Sequence, residues 1–133
     1  MSDFRTPNTA DLSLFEEQKK IILDECKTKN WDQYGADPIT EKTMEKIDYF
    51  ISFLPAKDPP YIPYLFPLSY DGGVQLEWHS PGNFLEYTIF PNGKVKCFTF
   101  NDDTHKNSRT NYDVWNDELI KDVLIKNLID FYR

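Results

Sequence analysis

Glu77, His79, Glu86 and Lys96 fall within one short stretch of this chain, and their side chains are those of acid–base and metal chemistry. Two facing carboxylates are what acid–base hydrolysis requires, and carboxylates beside a histidine ligate divalent cations. A second acidic group is Asp32 and Asp37, set among Trp31 and Tyr34, whose rings would raise the carboxyl pKa values by partial burial. A third is the polar run NDDTHKNSRT, with Asp102, Asp103, His105, Lys106 and Arg109. Each has a plainer reading. The glutamates and Lys96 suit the solvated side of an antiparallel sheet, with Lys96 bridging the acids. Asp32 suits a turn in which its carboxylate binds backbone amides, with Asn30 or Gly35 left-handed and Trp31 and Tyr34 anchoring the loop. The polar run suits a solvated connection. The chain holds no Gly-rich phosphate loop, no Gly-x-Ser-x-Gly, no His-Glu-x-x-His and no cysteine beside a sequence-local histidine. A chain without catalytic or metal-binding machinery, needing no cofactor, is therefore expected.

The segment that would position the glutamates is VQLEWHSPGNFLEYTIFPNGKVKCFTF, residues 74 to 100. Pro91-Asn92-Gly93 suits a three-residue hairpin loop that pairs Phe90 with Lys94, proline presetting the turn and glycine taking its left-handed position. Ser80-Pro81-Gly82-Asn83 suits a four-residue loop that sets His79 opposite Phe84. Side chains alternate with period two, so one face collects Val74, Leu76, Trp78, Leu85, Tyr87, Ile89, Val95, Cys97 and Thr99. That is the core face. The other face reads Gln75, Thr88, Lys96, then Glu77, Glu86, Phe98, then His79, Phe84, Phe100. A two-residue Asn92-Gly93 turn would slip the third strand and put Lys96 on the apolar face, so the longer loop is expected.

This register opposes Glu77 to Glu86. Like charges directly across a ladder are destabilising, so Lys96 must neutralise them, one must hold a proton, or a cation must sit there. It also gathers Phe84, Phe98 and Phe100, with Phe90 at the far end, on the side away from the core. Such a cluster is covered either by the first helix or the proline-rich crossing, or by a partner, since apolar patches rimmed with charge mark binding sites.

Other elements flank the meander. Ser13 and Glu16 form a capping box for an amphipathic helix running to about Lys29, with Leu14, Phe15, Ile21, Ile22 and Cys26 on its apolar side. A second helix begins after Thr40 and carries Met44, Ile47, Phe50, Ile51 and Leu54, with Ile39 and Met44 as a staple and Pro55 as its stop. Five of the nine prolines lie between Pro55 and Pro67, which makes an extended crossing with at most a short edge strand near Leu65 to Ser69. Asp71-Gly72-Gly73 turns it into the meander. Residues 101 to 110 read as an exposed loop. A final helix within Asn111 to Tyr132 has an apolar band wide enough to lie across the core face.

At 133 residues the chain is of single-domain size and would bury roughly 68% of its unfolded surface. Residues 1 to 10 read as a flexible tail. An aromatic fraction of 16% argues against disorder. A net charge of −7 disfavours nonspecific nucleic-acid or anionic-membrane binding, which leaves proteins or small molecules as partners. No apolar run approaches the ~20 residues of a membrane span, and the start lacks a leader pattern, so a cytoplasmic protein is expected. Cys26 and Cys97 have neither metal-knuckle spacing nor disulfide density.

The pieces Asn30-Trp31-Asp32-x-Tyr34-Gly35-Ala36-x-Pro38-Ile39, Leu54-Pro55 and Asp71-Gly72-Gly73-Val74-x-Leu76-Glu77-Trp78 span about residues 30 to 100. On these the chain resembles a loosely defined set of small bacterial and phage proteins, a resemblance that implies no activity or catalytic residues.

The expectation is an α+β domain: two N-terminal helices, a three- to four-stranded antiparallel meander and a long C-terminal helix on the sheet. Its function is expected to be non-enzymatic protein binding, as a phage or mobile-element inhibitor or immunity-type factor. The surface would comprise Phe84, Phe98, Phe100, Glu77, Glu86, His79 and Lys96, with Asp102, Asp103 and His105 from the adjoining loop. The alternatives are a cation-dependent or small-molecule enzyme or sensor using Glu77, Glu86 and His79, and a homodimer through the same patch.

Overall fold

The structure is a computed structural model that describes residues 10 to 133. The expected tail therefore lies outside the described residues, except that Ala10 is buried and donates its N–H to the Ile62 carbonyl at 3.0 Å. Helix α1 is Leu12–Glu25 and α2 is Glu41–Ile51. Five strands follow: β1 (Tyr64–Pro67), β2 (Val74–Ser80), β3 (Asn83–Ile89), β4 (Val95–Asn101) and β5 (Lys106–Tyr112). They form one antiparallel sheet in sequence order. The chain ends in α3 (Asp117–Leu119), a π-helical segment (Ile120–Ile125) and α4 (Lys126–Phe131).

The meander has the register that its turns dictate. Ile89 pairs with Val95, and beyond them the Phe90 N–H donates to the Lys94 carbonyl, so Pro91-Asn92-Gly93 is the three-residue loop. Gly93 has φ +87°, a left-handed conformation that favours glycine, and a Cβ there would also press on Trp115 at 3.3 Å. At the other hairpin His79 faces Phe84 as expected, but the ladder continues to Ser80 and Asn83, leaving only Pro81-Gly82 as the loop. Eight of the nine expected core-face residues are buried; Thr99 is exposed near the open end of β4.

All three helical regions pack on this one face. Phe50 of α2 stands edge-on to Trp78 and Tyr87, with ring centroids 5.9 and 6.0 Å apart. Phe15 and Ile22 of α1, and Leu119, Ile120, Leu124 and Leu128 from the C-terminal helix, complete the same core. The Tyr87 hydroxyl donates to the Leu124 carbonyl at 2.6 Å, and the Tyr49 hydroxyl ties α2 to Asp117. The wide apolar band of the last helix is accommodated by the π segment. Its i→i+5 bonding lets residues a five-step apart, Ile120 and Ile125, both turn inward.

Several boundaries differ from expectation. The first helix is capped not by Ser13 but by Asp11, whose carboxylate accepts from the Leu14 N–H at 2.7 Å, and it ends at Glu25 with Ile21 exposed. Thr40 is the N-cap of α2 without a side-chain bond, while Ile39 and Met44 are buried as the staple requires. The largest correction is the sheet itself. It has five strands rather than three or four: the crossing supplies β1, the short edge strand expected near Leu65 to Ser69, and the second half of the expected loop, with Asn111 and Tyr112, forms the unexpected β5. Residues 106 to 112 gave no alternation to read, since an edge strand that buries almost nothing needs no apolar period.

Candidate functional site

The helices leave the other face of the sheet uncovered among the described residues, and that face carries the expected surface. Its central row runs Tyr64, Glu77, Glu86, Phe98, Arg109 across all five strands. The row on one side is Phe66, Gln75, Thr88, Lys96, Asn111; that on the other is His79, Phe84, Phe100, Asn107. Of the two expected covers, α1 lies on the core face and the proline-rich crossing only flanks this one, adding Tyr64 and Phe66 on its edge strand, so neither lies over Phe84, Phe98 and Phe100. The rings instead shelter one another. Phe84 lies 4.9 Å from the His79 ring and 6.0 Å from Phe98, while Tyr64 stands 6.4 Å from His79. His79, Phe84, Phe98 and Phe100 are consequently half-buried.

Lys96 does not bridge the glutamates. Its ammonium sits over Tyr70 and Phe90, 5.6 and 5.5 Å from the ring centroids. Phe90 itself is buried against Gly73, where a Cβ would fall 2.8 Å from the ring, so only glycine leaves room for it. The cation nearest the acids comes instead from the unexpected fifth strand: Arg109 lies over the Phe98 ring at 5.2 Å and eases the charge on Glu86. Burial raises the carboxyl pKa of both Glu77 and Glu86, and Glu77 raises that of Glu86 further. Neither glutamate has an ion pair among the described residues. No cluster of three or more cation ligands occurs among them either, and the His79 ring is held by its aromatic neighbours. The hollow over Gln75, Glu86, Lys96 and Arg109 is about 280 Å³, at the lower edge of the ~300–1,000 Å³ typical of small-molecule sites.

Asp102, Asp103 and His105 occupy the β4–β5 hairpin tip rather than a long loop. The Asp102 N–H donates to Gly82 at 2.7 Å, Asn101 accepts from Thr104, and His105 is left-handed at φ +54°. The tip thus stands beside the Pro81-Gly82 turn, at the Phe84–Phe100 end of the outer face, with its side chains exposed.

The acidic loop before α2 is built by turn chemistry. Asp32 accepts from the Tyr34 and Ala36 N–H groups, Asn30 accepts from Gly35, and the Trp31 indole donates to the Asp37 carbonyl. Asp37 binds Lys29 and the Asp71 N–H, which lowers its pKa rather than raising it. Tyr34 is not an anchor: it is 92% exposed. Reading the sequence missed Tyr64, Tyr70 and the placement of Arg109. The two tyrosines lie among prolines and turn residues, and only the pairing of β5 with β4 could have placed Arg109.

No family model matches the chain, and neither a curated protein nor a solved structure does so.

Proposed function

We propose that the chain is a small acidic, non-enzymatic binding protein that docks a protein partner on the outer face of its sheet and on the Asp102–Asp103–His105 tip. The observation that carries this reading is the row of half-buried rings, His79, Phe84, Phe98 and Phe100, on a sheet face that no described helix covers, rimmed by Glu77, Glu86, Lys96 and Arg109. Aromatic residues with arginine beside them are the usual anchors of protein interfaces. Small size, the net charge of −7 and the absence of the common catalytic motifs suit a factor of the inhibitor or immunity type, and the resemblance at residues 30 to 39 and 71 to 78 adds only a phage or bacterial setting. A cytoplasmic location suits its two buried free thiols.

The double variant Phe98→Asp, Phe100→Asp tests the surface. Used as bait in the native host, the wild type captures a partner and the variant does not, while both keep the same circular dichroism. Equal capture by the two removes this face from the reading. Light scattering of the same pair tests the homodimer: a dimer that the variant dissolves would make the partner a second copy.

The opposed carboxyls favour a second reading, a cation or small-molecule sensor built on Glu77, Glu86 and His79. A ligand present at 100 times its dissociation constant adds about 2.7 kcal/mol to native stability. A thermal-shift screen across divalent cations and nucleotides without any upward shift disposes of it.

A further inference from the structure

The two edges of the sheet are built in opposite ways. On β1 the Leu65 N–H points away from β2 and is taken by the Gln18 side chain of α1 at 3.0 Å. Two residues to either side, where the backbone has the same direction, stand Pro63 and Pro67, which have no N–H to offer. That edge is closed to a further strand.

The β5 edge is open. The Phe90 N–H bonds to Lys94, so even-numbered residues of β4 direct their backbone groups to β3 and odd-numbered ones to β5. Cys97 pairs with Thr110 and Thr99 with Ser108, which leaves the N–H and C=O groups of Asn107, Arg109 and Asn111 directed outward. No described residue meets them, and all three residues are exposed. A row of unpaired backbone groups is a template for an added strand.

Charge selects the occupant. Between Thr104 and Tyr112 the chain has Lys106 and Arg109 and no acid, within a protein of net charge −7. A second copy paired antiparallel about the middle of β5 would set Arg109 against Arg109, which is unfavourable. We infer that the β5 edge receives an extended segment of a partner protein that carries a carboxylate opposite Arg109. This goes beyond docking on the outer face, since it uses backbone groups that no ring substitution removes.

The probe is a blocked heptapeptide of alternating threonine and valine with glutamate at its centre, compared with its lysine-centred twin. Amide hydrogen exchange is followed by NMR on the full chain. With the glutamate peptide at ten times its dissociation constant, exchange at Asn107, Arg109 and Asn111 slows about tenfold, as the free fraction falls to about a tenth. The lysine peptide gives no such protection, and in Arg109→Glu the preference reverses. Equal protection by both peptides, or none at these three amides, overturns the inference. Protection that grows with protein concentration alone also overturns it, in favour of a second copy. Shifts confined to Phe84 and Phe98 overturn the edge while leaving the outer-face reading intact.

Discussion

Glu77 and Glu86 face each other across β2 and β3, half-buried, and among the described residues Arg109 is the charge that eases Glu86. Their pKa values are raised above the ordinary 4.5, so between that value and the raised ones the folded state binds more protons than the unfolded chain. Their effect on stability is therefore best at low pH and worsens as pH rises through the raised values. Glu86→Gln should raise the urea midpoint at pH 7 by the equivalent of ~0.2–1 kcal/mol, the range for a like-charge cross-strand pair, and the gain should shrink at pH 4. Asp37 has the opposite sign: bound to Lys29 and the Asp71 amide, it stabilises above its ordinary 3.8, and this is lost in acid. Inside the core, Tyr87→Phe removes the hydroxyl that serves the Leu124 carbonyl. A loss of about 1 kcal/mol in urea unfolding is expected.

Among the elements, β5 is the one whose sequence least resembles what it forms. Six of its residues are exposed, and its stability comes from the ladder to β4 rather than from burial. This makes it sensitive to proline in a position-dependent way. Thr110→Pro removes an N–H that binds Cys97 and should fray β5, with fast amide exchange along the odd-numbered residues of β4. Asn111→Pro removes an outward N–H and should leave that exchange slow. Equal damage from both would mean that the backbone directions assigned to β5 are wrong. The C-terminal helix shows the converse case, where an apolar band too broad for one α-helical stripe is turned inward by the π segment Ile120–Ile125.

At the scale of the whole molecule, three helical regions on one face of the sheet concentrate burial there and leave the other face to its own aromatic contacts. Cys26 and Cys97 both lie in the buried layer, and burial pushes the Cys97 thiol up to about 12. Neither should react with a disulfide reagent at pH 8 in the native state, and both should react once urea unfolds the chain. Reaction of either thiol before unfolding would show an opening of the core.

Period-two alternation and two turns containing Gly82 and Gly93 were sufficient to determine the register of β2, β3 and β4. A one-residue slip would have carried Lys96 into the core, a cost too large to leave ambiguous. The same logic located the facing glutamates and the phenylalanine row. The tertiary structure alone decided what stands beside them. Lys96 went to Tyr70 and Phe90, and Arg109 arrived on a strand whose polar residues bury too little to leave a hydrophobic period. Covering one face and not the other was likewise a matter of helix packing. Local sequence specifies a helix's apolar stripe, but which side of the sheet receives it depends on contacts between residues far apart in the chain.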